Sequence, residues 1–286
     1  MKALEARNCL ITGASRGLGA AIASAFWSEG ANLILVSRSS KALKGVQACL
    51  TQNSGQKLDA LEADLSASDA AERIIAASKR LVDHLDVMVN NAGIQGPIGF
   101  SWENDWGDWQ QTLQVNLLAP VALCRHAVEW MKTNHHGKII NLSGGGANGP
   151  RPRFSAYATS KAALVRFSET LAEETREYGI DVNCIAPGPM NTRMLDEIVN
   201  SGQQAGAAEY EAALKVRREE APSIERASNL AVFLASSASD GITGRLISAK
   251  WDPWQTLPTR KTELANSDIY TLRRIVPEDR GRKWTD

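Results

Sequence analysis

The sequence predicts an α/β fold: one domain on a doubly wound parallel sheet of about seven strands, with helices on both faces. Three observations carry this. Short apolar runs alternate with helical segments from residue 7 to about residue 248, a rhythm that builds parallel sheets covered on both sides. In the run at 32–36, Asn32 is followed by the continuously apolar Leu-Ile-Leu-Val, as in strands buried on both faces. A glycine-rich turn stands at the first strand–helix junction.

In chain order, residues 7–12 read as the first strand and 13–19 as a turn. A helix over 18–29 follows, closed by Gly30 in the position after the C-cap, where a left-handed backbone favours glycine. After the strand at 32–36 come a helix over 41–53, ended by Gly55, and a strand at 58–63. A helix over 68–83 leads to a fourth strand around 87–89. Helical composition then runs over 106–134, with Pro120 marking a break or a new start, because proline has no N–H to give to a helix interior. Strands at 138–142, 180–185 and 246–248 alternate with helices over 155–178 and 223–235. Two stretches depart from the rhythm: a polar, alanine-rich insert over 190–222, and a tail over 251–286 rich in Trp, Pro and charge.

Composition excludes several classes. The chain has 286 residues, 43% of them hydrophobic, enough for a large core. Thirty-two basic residues balance thirty-two acidic ones, so neither nucleic acid nor an anionic membrane is indicated as partner. Cys9, Cys49, Cys124 and Cys184 are far apart and form no CxxC, which points away from zinc and redox motifs and towards free thiols. His135-His136 has no third ligand beside it, so no metal is expected. No apolar stretch approaches the ~20 residues a membrane span requires, and the expectation is a soluble, cytoplasmic protein.

The glycine turn reads Thr12-Gly13-Ala14-Ser15-Arg16-Gly17-Leu18-Gly19. Glycines here permit a tight turn and let backbone N–H groups approach a pyrophosphate at a helix N-terminus. It is not a P-loop, which needs a lysine followed by Ser or Thr. Gly13 to Gly17 matches the Gly-x-Ser-x-Gly nucleophile elbow, but that triad ends on a histidine late in the chain. The last histidine here is His136, with five predicted elements still to come. At the end of the second strand, where an NAD-binding protein carries an acid for the ribose, Ser37 and Arg38 stand instead, with Arg16 in the turn. Two guanidiniums favour a 2′-phosphate, so NADP is expected over NAD.

The chemistry centres on Ser155-Ala156-Tyr157-Ala158-Thr159-Ser160-Lys161. In a helix, Tyr157 and Lys161 share one face at i and i+4. A free phenol has a pKa near ~10, and an ammonium held close lowers it, so the pair is expected to act as a tuned proton donor and acceptor.

Together these residues resemble the short-chain dehydrogenase/reductase family, of the single-domain Tyr-x-x-x-Lys type. The likeness covers roughly residues 5–250. It rests on Thr12-Gly13-x-x-x-Gly17-x-Gly19, Asp64-Leu65, Asn90-Asn91-Ala92-Gly93, Asn116, Ser143, Tyr157-x-x-x-Lys161, and Asn183 with Pro187-Gly188 and Thr192. The resemblance implies a Rossmann-like, dinucleotide-binding catalytic domain over 1–250, with 190–222 as a substrate lid and 251–286 as a C-terminal extension. It implies Tyr157, Lys161, Ser143 and Asn116 as catalytic residues. Tyr157 would exchange a proton with the substrate oxygen, and Lys161 would lower its pKa and bind the nicotinamide ribose. Ser143 would hold the carbonyl, and Asn116 would interrupt its helix and anchor a proton-relaying water.

The implied cofactor contacts are Gly13, Ser15, Arg16, Gly17, Leu18 and Gly19 around the phosphates, Ser37 and Arg38 at the adenosine ribose, and Asp64 and Leu65 at the adenine. Asn91, Ala92 and Gly93 would line the middle of the cofactor, and Pro187, Gly188 and Thr192 its nicotinamide, beside Tyr157 and Lys161. One departure concerns the serine. The family places it thirteen residues before the tyrosine; Gly144 holds that position, and Ser143 lies fourteen before. A loop one residue longer, from Gly144 to Pro150, would absorb the difference.

The family's substrates are alcohols and carbonyls of many kinds, and the fold does not choose among them. In the insert, Met194, Leu195, Ile198 and Tyr210 could face an apolar substrate, whereas Arg151 and Arg153 could meet an anionic one. Trp102, Trp106 and Trp109 could wall the pocket or pack in the core or an interface. The family's habit implies a homodimer or homotetramer, paired on the helices around 117–133 and 155–178. The resulting expectation is an NADP(H)-dependent oxidoreductase, acting as a carbonyl reductase on a small molecule. The alternative is a non-catalytic NADP(H)-binding sensor, which would be expected to lack Tyr157 or Lys161; both are present.

Overall fold

The computed structural model describes residues 2–50, 55–218 and 223–284, apart from the side chain of Ser223. Seven parallel strands form one sheet in the order β3-β2-β1-β4-β5-β6-β7. They are β1 (Asn8–Thr12), β2 (Asn32–Ser37), β3 (Leu58–Glu62), β4 (Val87–Asn90), β5 (Gly137–Leu142), β6 (Ile180–Ala186) and β7 (Leu246–Ser248). All residues of β1, β4 and β5 are buried, as the apolar runs require of strands covered on both faces.

The helices flank this sheet: α1 (Gly17–Ser28), α2 (Ser40–Cys49), α3 (Ala70–Ser78), α4 (Trp106–Leu113), α5 (Ala119–Met131), α6 (Ser155–Glu174), α7 (Arg193–Ser201), α8 (Ala207–Arg218), α9 (Ser223–Ala235) and α10 (Lys261–Ala265). One core joins β1, β2 and β4 to Phe26 and Trp27 of α1, Leu43 of α2 and Leu230 and Leu234 of α9. The opposite core joins Ile74 and Ile75 of α3, Leu123 and Ala127 of α5 and Leu171 and Ala172 of α6 to Met88, Ile139 and Val182.

The helix expected over 41–53 is seen to Cys49; residues 51–53 lie outside the described residues. The helical stretch over 106–134 is four pieces, because a π-helical turn, Gln114–Leu118, separates α4 from α5 and a 3-10 turn, Lys132–Asn134, follows α5. Pro120 sits in the first turn of α5, where its missing N–H costs no helical bond. The insert over 190–222 carries α7 and α8 as far as Arg218, and 219–222 lie outside the described residues. Cys9, Cys124 and Cys184 are free and buried, and Cys49 is free and exposed. Among the described residues, no helix is long and apolar enough to cross a membrane.

Buried polar bonds tie α6 to the sheet. Asn90 Nδ2 donates to Asn141 Oδ1 at 2.8 Å, and Asn141 Nδ2 donates to Ser168 Oγ at 2.7 Å. These link β4, β5 and α6 in a place where an unpaired amide would be costly.

The C-terminal stretch is packed against the rest of the chain as far as Leu272. Leu257 and Leu264 are buried in the β1 side of the core, with Trp254 and Tyr270 against it. The Arg245 guanidinium donates to the carbonyls of Ser267 (2.9 Å) and Ile269 (2.7 Å), and also to that of Leu264. Leu246 N donates to Tyr270 O at 2.8 Å, and Leu272 N donates to Glu169 Oε1 on α6 at 2.6 Å. Because Leu264 belongs to the core, Leu264→Ala is expected to lower the unfolding free energy by about 2–4 kcal/mol, read from the urea midpoint. A change below about 0.5 kcal/mol, the range of bland surface substitutions, would mean that the tail does not share the core.

Candidate active site

The strand order reverses at β1 and β4, and in open parallel sheets the crevice at the carboxyl ends beside such a reversal takes the ligand. The glycine turn, Arg38, Asp64, Asn91 to Gly93, Ser143 and Pro187 to Thr192 lie beyond the carboxyl ends of strands, Asn116 lies on the approach to α5, and Tyr157 and Lys161 lie on α6, whereas Asn183 lies within β6.

The glycine turn follows β1. Gly13 and Gly17 have φ of +65° and +53°, which glycine adopts without strain. Gly19 allows the closest approach: a Cβ there would stand 2.2 Å from Gly13 O and 2.5 Å from Asn91 Nδ2. The first turn of α1 has no side-chain cap and no acidic residue, so its N–H groups and positive end suit an anion. Ser15 is half-buried, Arg16 exposed, and Leu18 buried under the turn. Thr12 Oγ1 accepts from Asn91 N and Ala92 N, both at 3.1 Å, and Asn91 Nδ2 donates to Thr12 O at 3.0 Å and Gly13 O at 3.2 Å. Thr12 thus joins the two loops; the sequence placed it in the motif but gave it no task.

Ser37 is buried and accepts from Ser39 N at 3.2 Å, while Arg38 is exposed. Asp64 is exposed and Leu65 buried. The Asp64 carboxyl is held below its ordinary value, first by the Ser66 N–H and, against some desolvation, also by the Ser66 side chain and Arg38. Arg38 and Asp64, from the ends of β2 and β3, therefore share one corner. Glu62 Oε2, at the same corner, accepts from Ser40 N at 3.3 Å.

Tyr157 and Lys161 lie on the buried face of α6, 6% and 3% exposed. Lys161 Nζ donates to Leu142 O, the last residue of β5, at 2.7 Å. A Cβ on Gly93 would stand 3.7 Å from that Nζ and 3.2 Å from Asn116 Oδ1. Asn116 sits within the π-helical turn. Its Oδ1 accepts from Ile94 N at 2.9 Å, and its Nδ2 donates to Ile94 O at 2.9 Å and to Ser160 Oγ at 3.2 Å. Widened turns of this kind recur at functional sites, and this one aims Asn116 at the loop after β4. The structure thus brings Lys161, Asn116, Gly93 and the end of β5 together.

Ser143 continues the β5–β6 pairing, with its N donating to Ile185 O at 2.9 Å. Its hydroxyl is buried with no protein partner among the described residues. A Cβ at Gly144 would stand 2.3 Å from the Tyr157 hydroxyl oxygen. A side chain cannot occupy that position while the tyrosine keeps its place, which gives a physical reason for glycine at 144.

The expected lowering of the phenol by Lys161 is not what the protein's own groups produce. Burial pushes Tyr157 above its ordinary value, with Arg151 the cation working against it. Burial also pushes the Lys161 ammonium down to about 8. Its Nζ lies 5.8 Å from the centre of the Tyr157 ring and is aimed at Leu142 O.

Pro187 is buried, and Gly188 has φ +81° beside Lys250. A Cβ on Gly17 would stand 3.7 Å from Thr192 Cγ2, so the starts of α1 and α7 approach each other. Asn183 is bound elsewhere: it donates to Ile242 O at 2.6 Å and accepts from Arg245 N at 3.1 Å, joining β6 to the approach to β7. Leu195 and Ile198 pack with Phe154 and Tyr157, and Met194 lies against them; Tyr210 is half-buried. Trp102 and Trp106 are exposed, and Trp109 Nε1 donates to Ser155 Oγ at 3.2 Å. Among the described residues, no group of three His, Cys, Asp or Glu could hold a metal.

The short chain dehydrogenase family model matches residues 7–202. The chain belongs to the short-chain dehydrogenase/reductase family. It is 34% identical over 244 residues to nodulation protein G of Rhizobium sp. (strain N33), covering 85% of this chain and 95% of that one. It is 30% identical over 245 residues to the 3-oxoacyl-[acyl-carrier-protein] reductase of Aquifex aeolicus (strain VF5), covering 85% and 96%. Among solved structures, a short-chain type dehydrogenase/reductase from Mycobacterium marinum superimposes with a TM-score of 0.75 at 26% identity, over 86% of this chain and 94% of that one. The protein is accordingly an oxidoreductase of this family, whose members bind NAD(P)(H). The glycine cradle and the uncapped start of α1 fit such a dinucleotide.

On the expectation that Tyr157 is the proton donor, Gly144→Ala is expected to lower kcat by about 100-fold or more, the scale of a misplaced reacting group, while the circular dichroism spectrum and melting temperature are kept. Turnover at the level of the unsubstituted enzyme would show that the loop gives way instead of the tyrosine.

Proposed function

We propose that this enzyme is an NADP(H)-dependent carbonyl reductase, moving a hydride between NADP(H) and an alcohol or carbonyl of a small molecule. The observation that carries the reading is the convergence of Tyr157, Lys161 and Asn116 at the end of β5, beside the glycine cradle. When bound, the nicotinamide supplies the hydride that adds to the carbonyl carbon. Tyr157 gives its phenolic proton to the carbonyl oxygen, completing the alcohol. Ser143, a buried hydroxyl with no protein partner among the described residues, donates a hydrogen bond to that oxygen and polarises it.

Lys161 holds a ribose hydroxyl and returns a proton towards the phenol, supported by Asn116. Gly13, Ser15, Gly17, Leu18 and Gly19 seat the pyrophosphate. Asp64 and Leu65 flank the adenine; Asn91, Ala92 and Gly93 line the middle; Pro187, Gly188 and Thr192 border the nicotinamide. Ser37, Arg38 and Arg16 receive the 2′-phosphate. The preference for NADP over NAD rests on those two guanidiniums and on Ser37 where an acid would select NAD. The reductive direction rests on that preference.

In this reading residues 1–250 form the catalytic unit, 190–222 are the substrate lid, and 251–286 are a C-terminal extension. Copies pair through α5 and α6 into a dimer or tetramer.

With NADPH and a panel of ketones and aldehydes, loss of nicotinamide absorbance is expected. Tyr157→Phe is expected to lower kcat by about 10²–10⁴-fold, the usual contribution of a positioned acid. Tight NADPH binding without turnover on any carbonyl would overturn the reductase reading. Arg38→Asp is expected to reduce the NADPH/NADH ratio of kcat/KM by about tenfold or more, the worth of one charge-assisted contact. An unchanged ratio would remove the basis for preferring NADP.

A further inference from the structure

We propose that Arg151 is a positioning residue that governs the charge environment of the Tyr157 hydroxyl, and that its partner Glu209 ties this environment to the docking of α8. The inference rests on the reading that Tyr157 exchanges the substrate's proton. Arg151 lies in the loop between β5 and α6. Its guanidinium carbon is 4.0 Å from the centre of the Phe154 ring and 5.6 Å from that of Tyr157. Its Nε and one terminal nitrogen donate to the two carboxylate oxygens of Glu209, at 2.9 and 2.8 Å. This is a two-pronged pairing that fixes orientation as well as distance. The Arg151 side chain is only 13% exposed and that of Glu209 32%, so the charges act with less screening than a surface pair.

The loop glycines hold the guanidinium's stem in place. A Cβ on Gly146 would stand 3.1 Å from Arg151 Cβ and 2.6 Å from Ala158 Cβ, and one on Gly145 would stand 3.6 Å from Arg151 Cδ. The same run of glycines that lets the Tyr157 hydroxyl approach Gly144 therefore lets Arg151 lie over the ring.

The charged groups around Tyr157 come from three elements. Lys161 on its own helix is bonded to Leu142 O. Arg151 comes from the loop, where its neighbour Arg153 is stacked on Phe100 at 3.4 Å. Glu209 comes from α8. From α7, Leu195 and Ile198 face the ring, while Arg193 pairs with Glu197 and Asp196 with Arg217 on the exposed side. Ile98, from the loop after β4, is apolar. Against burial, which raises the phenol, Arg151 is the charge that lowers it. Glu209 offsets part of that positive charge while α8 is docked. Arg151 thus favours the phenolate and Glu209 moderates it, so the acidity of the phenol depends on where α8 stands.

The test titrates tyrosinate absorbance in the full-length, cofactor-free protein, subtracting the Tyr157→Phe form of each background to isolate Tyr157. Arg151→Met is expected to raise the Tyr157 midpoint by about one pH unit, as expected for removing a charge this close to a largely desolvated group. Glu209→Gln is expected to move it the opposite way, and Arg151→Lys to restore it. The pH profile of kcat/KM is expected to shift in the same senses. Midpoints that do not move in either variant overturn the proposal. If Arg151→Met does not fold, an unmoved midpoint in Glu209→Gln alone does so. Because the titration needs no turnover, opposite shifts in a protein that reduces no carbonyl would sustain this inference and sink the reductase reading. Turnover with immobile midpoints would do the reverse.

Discussion

The bond from the Lys161 ammonium to the carbonyl of Leu142 is the contact on which the site depends. A buried ammonium is costly unless its donors are used, and the end of β5 supplies an acceptor where the strand has run out of ladder partners. That bond fixes α6 together with the one from Asn141 to Ser168, two turns further along. With α6 fixed, Tyr157 is fixed, one turn earlier on the same face. Asn116 completes the arrangement from the opposite side, because the widened turn before α5 aims its amide at the backbone of Ile94. Lys161 and Asn116 are both held by backbone groups, and such anchoring is how a site keeps its geometry to a fraction of an ångström.

Close approach is the second constraint. At three places a single methyl group would break the arrangement: Gly19 against Gly13, Gly13 against Ala92, and Gly144 against Tyr157. The first two let a backbone cradle form at the start of α1. The third leaves room for the Tyr157 hydroxyl beside the backbone that follows Ser143. Small residues here act by what they leave room for.

Much of this was legible in the sequence because it is local. Continuous apolar runs gave the strands, a glycine after Glu29 gave the end of α1, and four-residue spacing put Tyr157 and Lys161 on one face. The π-helical turn left no pattern of its own, since Gln114 to Leu118 reads as ordinary helix. The α7 and α8 helices were read only as an insert, although Leu195 and Ile198 stand one turn apart. The pairing of Arg151 with Glu209 spans 58 residues, and a contact at that separation has no local signature. The sign of the influence on the phenol was also out of reach. Spacing says that an ammonium is near, but whether burial or charge prevails depends on depth and on where the ammonium points, and here it points to a carbonyl.

The last stretch of chain lies along the β7 edge of the sheet. A sheet that ends on a bare strand offers its N–H and C=O groups to any passing chain. At β7 that offer is withdrawn: Leu246 N is taken by Tyr270, and Arg245 gathers the carbonyls of Leu264, Ser267 and Ile269. The terminus behaves as a selvedge, finishing the woven edge so that it does not run on into a neighbour. Strand addition at Leu246 is closed on that side.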